Sequence, residues 1–190
     1  MAPLANAPEE DNPALLNDDN FLYHEADEDG RATPFGSHIR RTNPRDMLGP
    51  NPGSDRSVEV GNRHRIVRRG RAYGPPIAES MDPVEILQKG DDGQDRGLHF
   101  ICFNTNIGRQ FDFLYQTWAN NKRFAGLYND PDPVIGDADP KDQGETADFK
   151  VPGHPLRMRY TGLRRPVSIK GGAYFFMPGI KAIRYLAALP

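Results

Sequence analysis

Alternating apolar positions predict two short strands in the middle of the chain. Residues 65–70, RIVRRG, place β-branched side chains between arginines and end in glycine, which is typical of a short strand. Residues 97–106 alternate two sets of side chains, Leu98, Phe100 and Cys102 on one face and His99, Ile101 and Phe103 on the other. Because both sets are largely apolar, we expect this second strand to be buried on both faces.

Helical periodicity follows directly and returns at the end of the chain. Four apolar residues recur at spacings of four, three and four, namely Ile107, Phe111, Leu114 and Trp118. This spacing predicts an amphipathic helix that Asn106 caps. Residues 167–170 and 173–179 flank a glycine pair and predict two short β segments. Residues 180–190 predict a last helix with one apolar stripe, formed by Ile180, Ile183, Leu186 and Ala187.

The remaining segments show no sustained period. Residues 1–63 are rich in Asn, Asp, Pro, Gly and Arg and predict loops with short helical turns, and residues 124–166 also predict loops. The chain has 190 residues, 19 glycines, 18 prolines and 37% hydrophobic residues, which fits one domain with long loops. The order strand, strand, helix, strand, helix predicts an α+β fold with helices on one face of an antiparallel sheet.

Charge and cysteine content exclude several classes of function. The formal net charge is -2, so a nucleic-acid partner is not indicated. A single cysteine, Cys102, excludes an intrachain disulfide and a cysteine-rich zinc site, and it favours a reducing compartment. The first residues lack a signal-peptide pattern, and no apolar run is long enough to span a membrane. We therefore expect a cytoplasmic protein without a membrane partner.

Common catalytic motifs are absent, and one acidic stretch needs separate consideration. The chain contains no GxSxG, GxGxxG, Walker A or HExxH sequence. Asp130 and Asp132 have the spacing of the first two ligands of an EF-hand loop. Ile135 stands where that loop needs glycine, which argues against calcium binding.

His38 lies in the most informative stretch, residues 35–45, FGSHIRRTNPR. Taken alone, a histidine is usually a solvated or hydrogen-bonded side chain. This stretch, however, resembles the proximal haem-ligand segment of the dye-decolourising peroxidase family. Three later stretches resemble that family in the same order, HRIVRRGRAYGPP, DRGLHFICFNTNIGRQFDFLYQTWANN and GGAYFFMPGIKAIRYLA. The resemblance covers roughly residues 12–188.

The resemblance implies a fold, a cofactor and an activity. The chain corresponds to the carboxyl-terminal, haem-bearing domain of a family member, one ferredoxin-like α+β domain over residues 1–190. Residues 1–63 would form a loop-rich segment with the proximal ligand, and residues 64–190 would form the sheet and helices. The implied cofactor is haem b, and the implied reaction is reduction of hydrogen peroxide with an organic, dye-like or phenolic reductant.

The resemblance also assigns roles to individual residues. His38 would be the iron ligand, and Arg68 would stabilise negative charge on the leaving oxygen as the peroxide bond breaks. Leu98 and Phe100 would form apolar walls above the haem, although core packing explains them almost as well. Arg40, Arg41 and Arg45 would pair with haem propionates or, equally, form structural salt bridges. Asp112 is a possible acceptor for the other nitrogen of His38 or an exposed carboxylate, and His64 and His99 receive no role.

One family motif is missing. Family members carry a distal aspartate in a GxxDG sequence, which this chain lacks, and in KGDDGQD the residues Asp91 and Asp92 directly follow Gly90. We therefore expect a fragment that works with a missing amino-terminal half or as a homo-oligomer. Two alternatives remain, a non-enzymatic or degenerate haem-binding domain and a ferredoxin-like interaction module without a cofactor.

Overall fold

The protein combines short helices with two separate antiparallel hairpins, which confirms the predicted α+β class. The computed structural model describes residues 20–80, 82–136, 146–164 and 166–189. Its helices are α1 (Tyr23–Asp27), α2 (His38–Thr42), α3 (Asp55–Asn62), α4 (Pro83–Lys89), a π-helical region (Gly108–Asp112 and Leu114–Ala119), a 3-10 turn (Phe124–Gly126) and α5 (Ile180–Ala187). Its strands are β1 (Val67–Tyr73), β2 (Gly97–Phe103), β3 (Thr146–Val151) and β4 (Met158–Arg164). Strand β1 pairs with β2, and β3 pairs with β4.

Side-chain caps explain where two of the helices begin. The Ser54 hydroxyl accepts the backbone N–H of Ser57 at 3.3 Å at the start of α3. The Asp82 carboxylate accepts the N–H of Val84 at 2.9 Å at the start of α4. Helices α1, α2 and α3 confirm the predicted short helical turns before residue 64. The apolar pattern missed α4, although aspartate followed by proline is a typical helix start.

The helix predicted after β2 is present but has a wider turn than expected. The N–H of Asp112 bonds the carbonyl of Ile107 at 3.0 Å, which is the five-residue spacing of a π-helix. The Asn106 side chain accepts the N–H of Arg109 at 2.9 Å, so the predicted cap is confirmed. Of the four residues in the predicted apolar stripe, Leu114 and Trp118 are buried in the core.

A small apolar core connects this π-helical region to the start of the first hairpin. Leu114, Trp118 and Phe124 form its centre, and four partly buried residues pack against them, namely Met47, Leu48, Ile66 and Phe113. The His64 ring stacks on Phe113 at 3.9 Å between ring centroids. Because Ile66 directly precedes β1, the core attaches the hairpin to the segment that follows α2.

The β1–β2 hairpin is open to solvent on both faces. Leu98 is 59% exposed, Phe100 47% and Ile101 52%. The prediction that β2 is buried on both sides is therefore wrong for the described residues, because this sheet has two strands only and no described element covers it. The β1–β2 pairing itself agrees with the prediction of two consecutive strands.

The second hairpin, β3–β4, lies in a region that was predicted to be loop. Phe149 pairs with Tyr160, and a bulge shifts the register between Ala147 and Phe149. That prediction was wrong although residues 147–151, ADFKV, alternate apolar and charged side chains, which is the period-two signal of a strand. The surrounding Asp, Pro and Gly residues led to the whole stretch being read as loop. The Asp148 carboxylate forms an ion pair with Arg159 on β4.

The carboxyl-terminal segment gives one correct and one wrong prediction. Helix α5 is present, but Ile180 is 71% exposed and Ile183 51%, so its apolar stripe faces no described element. Residues 166–179 contain no strand, so the two predicted β segments are wrong. A strand needs a paired neighbour for its backbone groups, and no described strand pairs with this segment. Within the described ranges, no helix is long and apolar enough to cross a membrane.

The core makes a direct prediction for stability. Trp118 is 6% exposed, so Trp118→Ala should lower the free energy of unfolding by about 3–5 kcal/mol because it removes transfer energy and leaves a cavity. Phe175 is 84% exposed, and Phe175→Ala is the matched control with little expected effect. Chemical denaturation of the two variants and the wild type measures the difference. Equal effects of the two substitutions would contradict this placement of the core.

Candidate functional site

A tight turn positions His38 at the first residue of α2. The N–H of Ser37 bonds the carbonyl of Pro34 at 2.9 Å and closes this turn. A Cβ at Gly36 would lie 3.3 Å from the Phe149 ring, so glycine lets the turn approach β3 closely. The His38 carbonyl accepts the Thr42 hydroxyl at 2.8 Å. The His38 side chain remains 39% exposed, which leaves its ring accessible.

Asp132 holds one nitrogen of the His38 ring. His38 Nδ1 lies 2.9 Å from Oδ2 and 3.2 Å from Oδ1 of Asp132, whose side chain is fully buried. Asp132 Oδ1 also accepts the backbone N–H groups of Val134 and Ile135 at 2.8 and 3.0 Å. With Nδ1–H donated to the carboxylate, Nε2 carries the free lone pair, and among the described residues it makes no hydrogen bond.

The surroundings of Asp132 favour its ionised form. Burial alone would raise the pKa of this carboxyl, but the hydrogen bond from His38, the positive charge that His38 carries when it is protonated, and the Ile135 and Val134 amides lower the pKa below its usual value. The site therefore pairs a carboxylate with an accessible imidazole. This arrangement is common around metal-binding histidines.

Of the two alternatives given for Asp112, the acceptor of the His38 ring is wrong. Asp112 accepts the hydroxyl of Tyr174 instead, and this hydrogen bond is the main reason why the pKa of Tyr174 is raised. Asp132 stands 94 residues from His38 in the chain, so no local spacing could reveal the pair. Asp130, the other residue weighed for calcium, is buried and lies 2.8 Å from Lys150 Nζ. Among the described residues, no group of three His, Cys, Asp or Glu side chains could hold a metal ion.

Arg40 and Arg45 contact the segment around α1. Arg40 is 1% exposed and donates to the Asp27 carboxylate at 3.0 Å and the Thr33 carbonyl at 2.8 Å. Burial lowers the pKa of Arg40, and Asp27 offsets part of this effect. Arg45 donates to the Phe21 carbonyl at 3.1 Å and lies 3.8 Å above the Phe21 ring. The Arg40 contacts match the alternative of a structural salt bridge rather than a group that reaches a ligand.

Arg68 shares one face of the first hairpin with Leu98 and Phe100. In the register, Arg68 stands opposite Cys102, Gly70 opposite Phe100 and Ala72 opposite Leu98. Directly opposed residues lie on the same face, so the three predicted residues come together on one exposed surface. Arg69 stands opposite Ile101 and lies on the other face. Within the described part of the chain, no hydrogen bond or ion pair joins Arg68 to α2.

The two histidines without an assigned role lie apart from this arrangement. His64 Nδ1 lies 2.6 Å from the Arg109 carbonyl oxygen, and the ring stacks on Phe113. His99 stands opposite Arg71 on the second face of the hairpin, 4.8 Å from the Tyr73 ring. Neither ring contacts His38 or Asp132 among the described residues.

Comparison with known proteins gives one consistent family. No protein-family model matches the chain. The multifunctional dye peroxidase DyP2 of Amycolatopsis sp. is 36% identical over an alignment of 176 positions, which covers 88% of this chain and 35% of that protein. A dye-decolorizing peroxidase of Auricularia auricula-judae is 31% identical over an alignment of 198 positions, which covers 96% of this chain and 36% of that protein. This chain is a relative of the dye-decolourising peroxidases.

Solved structures of dye-decolourising peroxidases also match the fold. A variant of the decolorizing peroxidase from Auricularia auricula-judae superposes with a TM-score of 0.62 at 29% identity, covering 86% of this chain and 37% of that one. The DyP-type peroxidase of Anabaena sp. gives 0.57 at 30% identity, covering 77% and 29%. The chain thus spans a little over a third of the length of the curated dye-decolourising peroxidases that it matches.

The His38–Asp132 pair predicts a pH-dependent stability in this dye-decolourising peroxidase relative. Because the folded-state pKa of Asp132 is lowered, its contribution is complete above the unfolded-state pKa, near 3.9, and is lost as pH falls through the lowered value. At neutral pH, Asp132→Asn should reduce the free energy of unfolding by about 1.5–3 kcal/mol. Denaturation curves should show this difference constant from about pH 7 to about pH 5 and shrinking as the pH falls past the unfolded-state value toward about pH 2.

The exposed Asp55 provides a control for that measurement. Asp55→Asn removes the same charge from the chain without touching the His38 ring. A difference between wild type and Asp132→Asn that stays constant over the acidic range would contradict the lowered pKa.

Proposed function

We propose that this chain binds haem b through His38 and forms part of an enzyme that reduces hydrogen peroxide while it oxidises an organic donor. The single observation that carries the proposal is the His38 ring, whose Nδ1 is held by Asp132 and whose Nε2 makes no hydrogen bond among the described residues. The names of the relatives, which are dye peroxidases, support the same conclusion. Proximal histidine ligands of haem iron have this chemistry.

The residues present fit an iron ligand. A carboxylate that accepts Nδ1–H fixes the tautomer and makes Nε2 a stronger electron donor. Because the pKa of Asp132 is lowered, the carboxylate stays charged at neutral pH. The buried loop around Asp132 limits rotation of the imidazole, while the exposed part of the ring remains open to a ligand. When bound, haem would supply the redox chemistry between the peroxide and the donor.

Arg68 is the residue that we assign to peroxide cleavage. Its guanidinium remains charged at any working pH and presents a planar set of donors. Placed beside peroxide, it would stabilise negative charge on the leaving oxygen as the O–O bond breaks. Leu98 and Phe100 lie on the same strand face and would exclude water from this group. Arg69, on the opposite face, would have no such role.

A further part of the site is proposed to come from another polypeptide segment. The chain has no GxxDG sequence, and the hairpin β1–β2 and helix α5 expose apolar side chains such as Phe100 and Ile180. Contiguous exposed apolar surface marks places where other protein binds. We assign these faces to the amino-terminal half of a peroxidase rather than to a second copy of this chain, because that half would also bring the missing aspartate.

The remaining partners follow from the same proposal. The substrates are hydrogen peroxide and a dye-like or phenolic reductant, with no nucleic acid and no membrane. Cys102 is a free thiol, which fits the reducing cytoplasm. The absence of GxxDG from the sequence favours one rival, a haem-binding domain without turnover. Haem binding without peroxide consumption, even with an added amino-terminal half, would select that rival.

Haem binding by His38 is tested by titrating the purified chain with haemin. The wild type should develop the Soret band of histidine-ligated ferric haem, and His38→Ala should lose it, because the iron loses its protein ligand. Asp132→Asn should weaken haem affinity by about 10–100-fold. His99→Ala is the control, since His99 lies on the far face of the hairpin. Added imidazole should restore the band in His38→Ala, and an unchanged band in that variant would falsify the assignment.

The two neighbouring arginines of β1 provide a matched pair for the peroxide step. In haem-loaded chain supplemented with an amino-terminal half, Arg68→Leu should slow the reaction with hydrogen peroxide by about 10²–10³-fold, because one preorganised charge is lost. Arg69→Leu should change the rate little, and haem content should be nearly equal in both variants. Stopped-flow absorbance measures the rates. A larger effect of Arg69→Leu would mean that the opposite face of the hairpin carries the chemistry.

A further inference from the structure

Arg41 joins three separate backbone segments through one side chain. It lies three residues after His38 in α2 and is fully buried. Its guanidinium donates to five backbone carbonyl groups, those of Gly36 (2.9 Å), Trp118 (3.1 Å), Ala119 (3.4 Å), Asn121 (2.8 Å) and Asp130 (2.5 Å). A single planar group thus fixes the distances between these segments.

Two of these carbonyl groups belong to residues that closely precede His38 and Asp132 in the chain. Gly36 precedes His38 by two residues, and Asp130 precedes Asp132 by two residues. Arg41 therefore connects the turn that presents the imidazole to the loop that presents the carboxylate. The Nδ1–Oδ2 distance of 2.9 Å depends on the relative position of these two backbones.

We propose that Arg41 is a positioning residue, which holds the Asp132 loop at hydrogen-bonding distance from His38. The functional meaning of this inference rests on the proposed role of His38 as a haem ligand. Arg41 then acts on the ligand indirectly, through the carboxylate that orients the imidazole. In the described residues, Arg41 does not contact Nε2 of His38, the atom proposed to bind iron, because the Arg41 donors point to backbone carbonyl groups.

The chemistry of the guanidinium suits this role. Arginine offers five N–H donors in a rigid plane, whereas lysine offers one flexible ammonium group. Burial lowers the pKa of Arg41, while the carboxylates of Asp132 and Asp130 raise it in part, so the group keeps its charge. If the guanidinium were removed, buried carbonyl groups would lose their donors, and the loop could relax only by moving toward water.

Arg40 provides a matched control next in the chain. It is almost equally buried and also makes several polar contacts, but these go to other residues, namely Asp27, Thr33 and Met47. A general loss of stability should therefore follow a substitution at either arginine. Loss of the His38–Asp132 geometry should follow a substitution at Arg41 only.

The experiment compares Arg41→Lys with Arg40→Lys in the full, haem-free chain labelled with ¹⁵N. Both substitutions should lower the melting temperature. In Arg41→Lys only, the His38 Nδ1–H signal should move toward that of a free imidazole, and its exchange with solvent should be about 10–100-fold faster. An unchanged signal in Arg41→Lys, or an equal change in Arg40→Lys, overturns the inference.

A measurement on the wild type keeps the inference testable if Arg41→Lys does not fold. The Val134 and Ile135 amides donate to Asp132 and report on the loop, and the Arg41 Nη protons report on the guanidinium. Each observed exchange rate, divided by the intrinsic rate of its own amide or guanidinium group, gives an opening free energy, and these free energies and their dependence on denaturant should be equal, because one opening event exposes all the protons. Different opening free energies show that the loop opens independently of Arg41 and overturn the inference.

These measurements separate the inference from the proposed function. They need no haem, so a failure of the chain to bind haem leaves the Arg41 result intact. Conversely, a chain that binds haem through His38 but shows no effect of Arg41→Lys supports the function and rejects the positioning role.

Discussion

The segment around His38 depends on charged side chains that lie out of contact with water. Six such residues are buried in this part of the structure, namely Asp27, Arg40, Arg41, Asp46, Asp130 and Asp132. A buried charge is unfavourable unless partners surround it, so each of these groups restricts the backbone that supplies those partners. The Asp46 carboxylate, for example, accepts the Tyr23 amide at 2.8 Å and holds α1 against the loop after α2. The ionic contacts thereby give a loop-rich region a defined shape.

The rest of the chain is organised differently. Its apolar core is small and centred on Trp118, and the hairpin β1–β2 and helix α5 project apolar side chains into solvent. The proposed iron ligand, His38, therefore lies in a region with many hydrogen bonds and ion pairs, whereas Arg68 lies on a hairpin that makes few contacts with other described elements. The two halves of the proposed site should differ in rigidity for this reason. Protein that covers the hairpin would fix Arg68 without any change around His38.

Local patterns in the sequence predicted the features that depend on local physics. The spacing from Ile107 to Trp118 predicted a helix and its Asn106 cap, and the alternation in residues 97–106 predicted β2 and the face shared by Leu98 and Phe100. The pairing of His38 with Asp132 was missed, because 94 residues separate the partners and nothing in either segment encodes their contact. Burial of β2 was predicted wrongly, because an apolar strand indicates a need for cover but does not reveal where that cover comes from.

Two glycines show how little freedom this arrangement leaves for sequence divergence. A Cβ at Gly61 in α3 would lie 2.6 Å from the Arg45 carbonyl oxygen, and a Cβ at Gly136 would lie 2.5 Å from the Asp132 amide nitrogen. Both clashes are with backbone, so a neighbouring side chain could not relieve them by changing rotamer. Mutant libraries that aim to alter the surroundings of the His38 imidazole should therefore keep Gly61 and Gly136 unchanged and vary neighbouring side chains instead.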